Sequence, residues 1–243
     1  MKILGIIPAR YGSTRFPGKP LVDINGKTMI RRVYEQAKSC NALSQVIVAT
    51  DDERIFKEVL SFGGEVIMTA SEHQSGTDRC AEVINKSNES YSVVINIQGD
   101  EPYINPEQIK QLCECFLDPN TQIATLAKKI NNSDELFDEN KVKVVLSNNR
   151  FALYFSRIAV PFFRGEEKEN WIKKHDYFKH IGIYGYRTDV LQKITQLQPS
   201  TLELAESLEQ LRWLEYGYSI KVAKTVLEAI SIDTPDDLRK ITG

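Results

Sequence analysis

The sequence predicts an α/β fold, a mostly parallel sheet with helices on both faces. Two observations point there. Strand-like and helix-like segments alternate through the first half of the chain, the rhythm that parallel crossover units produce. In addition, the run Val93-Val94-Ile95-Asn96-Ile97 is almost purely β-branched, as suits a strand covered on both faces.

The elements follow in order. The apolar run 3–7 predicts a first strand, ended by Pro8. Residues 28–39 read as a helix because Met29, Ile30, Val33 and Ala37 fall on one face. Residues 46–49 make a second strand. The helix over 53–62 is preceded by Asp51 and Asp52, both good N-caps, and stopped by Gly63-Gly64. Residues 65–68 are a third strand, 77–86 a helix and 93–97 a fourth strand. Asn105-Pro106 then opens a helix to residue 116, with proline at its first position.

The second half changes character. Residues 123–130, 142–146, 151–156 and 181–186 read as strands with short links, and Asn148-Asn149 as a hairpin turn. The stretch 164–179, charged and aromatic, reads as a lid or a solvated excursion. Residues 203–216 form one helix, 220–223 a strand, 228–232 a strand-like stretch, and 235–241 a last helix capped by Asp233 or Thr234. No repeat, low-complexity tract or Pro/Gly/Ser-rich linker divides the chain. One domain over 1–243 is expected, with 123–187 as an embedded β-rich part. That part is dense in aromatics ("YFSRIAVPFF"), more than one layer of a sheet requires, which predicts a symmetric homodimer formed there.

The 243 residues carry 31 Lys+Arg against 33 Asp+Glu, a net charge of −2, so no global basic field points to nucleic acid. The four cysteines lack metal-ligand spacing, as do the three histidines His73, His175 and His180; the thiols read as reduced, in a cytoplasmic protein. The N-terminal apolar run of five residues is too short for a signal-peptide core or a membrane span.

The most informative segment is the loop after the first strand, Pro8 to Leu21. It places Arg10, Arg15 and Lys19 within ten residues, with Gly12, Gly18, Ser13 and Thr14 among them. Cations neutralise a polyphosphate, and glycines let backbone N–H groups approach its oxygens. Five residues separate Gly12 from Gly18 and Pro20 stands where a Walker loop has Ser or Thr, so this is not a Walker loop; nor is G-x-G-x-x-G present. Gln98-Gly99-Asp100-Glu101-Pro102 follows the fourth strand directly. An aspartate there is placed to hold Mg²⁺ against phosphates, since that ion favours one or two carboxylates plus phosphate and water. Asp233 is the candidate second carboxylate, with helix capping as its alternative role. Ser75-Gly76 opens a helix and reads either as a plain cap or as a seat for base or ribose.

"PARYGSTRFPGKPL", "VATDD", "HQSGTDR", "NIQGDEP", "VKVVL", "ALYFSR", "HIGIYGYR", "LEQLR" and "IDTPDDL" occur in this order. Together they resemble the 3-deoxy-manno-octulosonate (Kdo) cytidylyltransferases over essentially the whole chain. The resemblance implies a nucleotide-diphospho-sugar transferase-like, Rossmann-like fold. It also implies Mg²⁺-dependent transfer of CMP from CTP to the anomeric hydroxyl of Kdo, with loss of pyrophosphate, for lipopolysaccharide synthesis. Carried over position by position, it implies that Ala9, Arg10, Ser13, Lys19, Ser75, Gly76, Arg79 and Asp100 contact nucleotide. Asp100 and Asp233 match metal ligands; Arg10, Lys19, Asp100 and Asp233 are the expected catalytic set. Gln98, Arg157, His180, Tyr184, Glu209 and Gln210 match positions facing the sugar acid. A planar guanidinium at Arg157 suits a bidentate grip on a carboxylate. The chain departs from the pattern at Phe16, Thr201 and Arg164-Gly165. Two further readings stand beside this one. The first is a cytidylyltransferase for a related acid, 8-amino-Kdo or sialate, although "HIGIYGYR" and "LEQLR" argue against sialate. The second is an inactive nucleotide-binding subunit, which predicts decay of the phosphate or metal residues; Arg10, Lys19, Asp100 and Asp233 are all intact.

Overall fold

The computed structural model describes residues 1–12, 16–228 and 230–242. Strand β1 (Ile3–Ala9) is followed by a short hairpin of β2 (Asp23–Ile24) and β3 (Lys27–Thr28), then α1 (Met29–Lys38), β4 (Gln45–Thr50), α2 (Glu53–Ser61) and β5 (Val66–Met68). Next come α3 (Gly76–Lys86), β6 (Val93–Asn96), α4 (Pro106–Glu114), β7 (Ile123–Lys129), α5 (Ser133–Phe137), β8 (Lys143–Leu146) and β9 (Ala152–Ser156). The chain ends through α6 (Trp171–Lys174), β10 (Phe178–Arg187), α7 (Thr188–Ile194), α8 (Thr201–Glu206), α9 (Glu209–Glu215), β11 (Ile220–Thr225) and α10 (Pro235–Thr242).

The main sheet runs β11-β7-β10-β6-β1-β4-β5. Its pairings are parallel except that β10 lies antiparallel between β6 and β7. From β1 the chain first winds outward to β4 and β5, then returns to place β6 on the other side of β1. The carboxyl ends of β1 and β6 therefore flank the point where the winding reverses, where open α/β sheets hold their ligands.

Both faces are covered, as expected. Ile30 and Val33 of α1, Ile55 of α2, and Ile109 and Leu112 of α4 pack on one side with Ile7, Val48 and Ile95. On the other, Cys80 and Val83 of α3, Leu191 of α7, and Leu211 and Trp213 of α9 pack with Leu4, Ile6 and Val94. The alternating side chains of β1 feed both layers, so every strand residue is apolar and all but Pro8 are buried.

Three expectations change. The helix expected over 203–216 is two helices, α8 and α9, because Ser207 turns left-handed (φ +52°) between them. The stretch 228–232 forms no strand in its described residues; Ile232 instead anchors a coil by burial against Ile24 and Met29. Finally, 164–179 is not a solvated excursion throughout. Trp171 and Tyr177 are buried with Ile130 and Leu136, which fasten the segment to the body. Within 123–187, β7 and β10 lie in the main sheet and the β8–β9 hairpin branches from it through β10.

Candidate active site

The loop after β1 is closed by its own backbone. Gly18 N–H donates to Tyr11 C=O at 3.0 Å, and Gly18 adopts φ +73° with the Tyr11 ring against it, so a side chain there would be strained. Gly18 in turn caps a 3₁₀ turn, Lys19–Leu21, which starts on Lys19. Ser13 and Arg15 lie outside the described residues.

The loop after β6 approaches just as closely. A Cβ on Gly99 would lie 2.8 Å from the carbonyl oxygen of Pro8, so only glycine lets the two loops meet. Asp100 follows and faces Lys19, whose Nζ lies 2.8 Å from Asp100 Oδ2 and 3.5 Å from Asp233 Oδ1. The two carboxylates, 133 positions apart in sequence, thus share one cation. The C-terminal coil is placed by Ile232, whose N–H donates to Asp100 C=O at 3.0 Å. Capping of α10 falls to Thr234, whose Oγ1 accepts from Asp237 N–H at 3.3 Å while Asp237 Oδ2 accepts from Thr234 N–H at 3.0 Å. Asp233 is therefore released from that duty.

These groups line a cavity of about 270 Å³ with Ala9, Arg10, Ser75, Gly76, Arg79, Gln98 and Gly99. Pro8, Pro20, His73 and Gln74 complete it; they lie in the loop and the "HQSGTDR" segment singled out above, without a site role of their own there. Ser75 caps α3 in a reciprocal box with Asp78, which leaves the helix N-terminus on the cavity wall. Arg79 is buried, and its guanidinium is spent on Asp51 Oδ2 at 3.0 Å, Ala70 C=O at 3.2 Å and Thr69 Oγ1. It braces the wall on the second strand's "TDD" rather than standing free in the cavity.

A second cavity, of about 210 Å³, shares Pro8, Gly76 and Gln98 with the first and is otherwise lined by Thr77, Asn96, Tyr184, Tyr186 and Glu209. Gln98 Nε2 donates to Gly182 C=O at 2.8 Å, at a bulge in β10 where the register slips between Ile181 and Tyr184. The bulge is held by Thr125, whose hydroxyl lies 3.1 Å from Ile181 C=O and 2.8 Å from Ile183 C=O. The hydroxyl of Tyr184 is buried with no hydrogen-bond partner among the described residues, the Tyr186 hydroxyl is buried beside Thr77 and Asn96, and burial raises both phenols. Glu209 accepts from Thr77 Oγ1 at 2.9 Å, and removal from water raises its carboxyl. An orphaned hydroxyl, a second buried phenol and a hydrogen-bonded carboxylate around one cavity suit a polyhydroxylated ligand. The break at Ser207 puts Glu209 in the first turn of α9, facing this cavity.

Three expected sugar-facing residues line neither cavity. Arg157 directs Nε to Glu206 C=O at 2.7 Å, Nη2 to Ser207 C=O at 3.3 Å and Nη1 to Glu139 C=O at 3.4 Å, so its fork holds the main chain at the α8–α9 break. His180 lies behind Tyr184, with Nε2 2.9 Å from Thr125 Oγ1 and its ring edge-on to Phe155. The residue as a whole is half-buried, and enclosure of the ring pushes its pKa down to about 3, which keeps it neutral. Gln210 is buried in α9. Thr77, Asn96 and Tyr186 were missed; the only sequence signal was their position in or beside motifs already singled out.

Glu101 carries a carboxyl raised to about 7, first by burial and then by the charges of Asp100, Asp233 and Glu228. Among the described residues no cluster of three or more His, Cys, Asp or Glu could hold a metal. The donor set is two carboxylates opening on a cavity with a cation already between them. That fits Mg²⁺, which completes its shell with phosphate and water, better than a transition metal in a protein cage.

A parallel sheet with a phosphate-suited loop and paired carboxylates at its reversal point defines a nucleotidyltransferase-type site. A family model for cytidylyltransferases matches residues 4–225. The 3-deoxy-manno-octulosonate cytidylyltransferase of Parabacteroides distasonis is 58% identical over 99% of this chain and 96% of its own. That of Cytophaga hutchinsonii is 56% identical over 100% and 97%. A solved structure of CMP:2-keto-3-deoxy-manno-octonic acid synthetase complexed with CTP superposes with a TM-score of 0.92, at 44% identity, over 100% of this chain and 97% of that one. The chain belongs to the cytidylyltransferase family and, within it, to the 3-deoxy-manno-octulosonate cytidylyltransferases.

Proposed function

We propose that the protein transfers CMP from CTP to the anomeric hydroxyl of Kdo, releasing pyrophosphate. The observation that carries this is the pair of adjoining cavities, which share Pro8, Gly76 and Gln98 as lining. One is cationic and phosphate-suited, lined by Arg10, Lys19 and the α3 N-terminus; the other is rich in hydroxyls and closed by Glu209. The relative solved with CTP and the named relatives support the same reading.

In this reading the hydroxyl oxygen forms a bond to the α-phosphorus, the bond from that phosphorus to the bridging oxygen of pyrophosphate breaks, and the hydroxyl proton leaves to solvent. A sugar acid and a triphosphate repel, at about 4 kcal/mol per close unit-charge pair in a dielectric near 20. Arg10 and Lys19 offset that repulsion and stabilise the leaving pyrophosphate. Asp100 and Asp233 would hold Mg²⁺, which when bound neutralises phosphate charge and makes a neighbouring hydroxyl more acidic. Gln98, on the wall common to both cavities, orients the two substrates toward each other.

A cytoplasmic homodimer fits this role. Leu153, Ile158 and Phe162 are each at least 60% exposed, an apolar set that a second copy would cover. Among the described residues no helix is long and apolar enough to cross a membrane. The test is pyrophosphate release with CTP and Mg²⁺, offering Kdo, 8-amino-Kdo and sialate separately. Kdo should give the highest kcat/KM; a preference for sialate would overturn the reading.

A further inference from the structure

We propose that Lys19 is the resident cation of the nucleotide-free site, competing with the divalent ion for Asp100 and Asp233 until a triphosphate draws it away. This rests on the reading of the two carboxylates as the metal site. Lys19 Nζ stands 2.8 Å from one carboxylate and 3.5 Å from the other, which is where a shared cation belongs. Its side chain is 15% exposed, against 26% for Asp100 and 46% for Asp233, so it is the most enclosed of the three.

The backbone beneath Lys19 is fixed. The Gly18–Tyr11 bond closes the loop, and Leu21 N–H donates to Gly18 C=O at 2.9 Å, with Pro20 buried between. Only the four-carbon stem is left to move, and a lysine ammonium is a compact charge on a flexible stem. Arg10 and the α3 N-terminus line the same cavity, so the anion-attracting wall and the Lys19 side chain face one space.

Charge counting gives the consequence. The Lys19 ammonium already offsets part of the charge of the carboxylate pair. A divalent ion in its place offsets more of that charge but strands the ammonium in a half-enclosed cavity beside a dication. A triphosphate removes that penalty by giving the ammonium new oxygens. Metal and triphosphate must therefore bind with positive coupling, and the metal alone binds weakly.

The test is binding of Mn²⁺ alone to the nucleotide-free protein, read from the electron paramagnetic resonance signal of the free ion. Lys19→Met should bind Mn²⁺ about tenfold or more tighter than wild type, within the range such couplings span. Lys19→Arg, which keeps the charge, should stay as weak as wild type. Lys19→Gln gives a second neutral variant should Lys19→Met fold poorly. Neutral variants that bind Mn²⁺ no tighter than wild type would overturn the proposal. Asp100→Asn in the Lys19→Met background separates the two readings. If it abolishes Mn²⁺ binding but removal of the ammonium never tightened it, the carboxylate site stands and the competition fails. If it leaves Mn²⁺ binding untouched, the carboxylate site itself is wrong.

Discussion

Ile232 donates its N–H to the carbonyl of Asp100 at 3.0 Å, and that bond places the next residue, Asp233, in the cavity that Asp100 lines. The Ile232 side chain is fully buried with Ile24 and Met29, so apolar burial and one hydrogen bond hold the coil together. Ile232→Ala should cost about 2–5 kcal/mol in denaturant unfolding, as buried Ile→Ala changes do. It should also lower kcat, because the coil that delivers Asp233 loosens. Lost stability with wild-type turnover would mean that Asp233 is not placed by Ile232, or not needed.

Gly99→Ala tests the close approach of the two loops. The added methyl would sit 2.8 Å from a backbone oxygen of Pro8, which cannot swing aside as a side chain can. Destabilisation of about 1–3 kcal/mol is expected, together with a fall in kcat/KM for CTP as the Asp100 loop is pushed from the Lys19 loop. Wild-type kinetics in Gly99→Ala would show that the loops need not touch.

The parallel alternation, the helix-covered faces and the two active loops were legible because hydrophobic period and turn residues agree there. Asp233 does lie on the same cavity as Asp100, beside Lys19, yet the described residues of 228–232 form no strand to deliver it. The break at Ser207 was invisible because no Gly or Pro marks it, and Ser207 takes φ +52° only because tertiary contacts hold its flanks. Asn25-Gly26 did signal the β2–β3 hairpin, with φ of 51° and 79°, and was passed over. The roles of Arg157 and His180 depend on where long side chains end, which motif position does not fix.

Arg157 is bound to main-chain oxygens two and three residues before Glu209. A lysine ammonium cannot span Glu206 C=O, Ser207 C=O and Glu139 C=O with one planar fork. Arg157→Lys should therefore lower stability by about 1–2 kcal/mol and raise the sugar KM through a shifted Glu209, with CTP binding near normal. Unchanged stability with a raised sugar KM would point instead to direct contact between Arg157 and the sugar.

Glu101 makes a pH prediction for the metal-free protein. Its carboxyl is raised to about 7 in the folded state from the ordinary 4.5. Between those values the folded chain keeps a proton that the unfolded chain has lost. The associated stability is complete below about pH 4.5 and is lost as pH rises through 7. Glu101→Gln, a mimic of the protonated form, should match wild type at pH 4.5 and exceed it at pH 8. The gain should be at most about 3.5 kcal/mol, at about 1.4 kcal/mol per pKa unit. Equal gains at both pH values would show that charge is not the cause.

The most direct test of the site is a paired measurement of kcat and thermal midpoint for Asp100→Asn and Asp233→Asn across a Mg²⁺ titration. Each change removes a charge and keeps the side chain's shape. Thr234 and Asp237 cap α10, so the midpoint of Asp233→Asn should hardly move. Loss of charge stabilisation in the transition state predicts a fall in kcat of at least ~10²-fold for both variants. Wild-type turnover by Asp233→Asn at every Mg²⁺ concentration would contradict the two-carboxylate site.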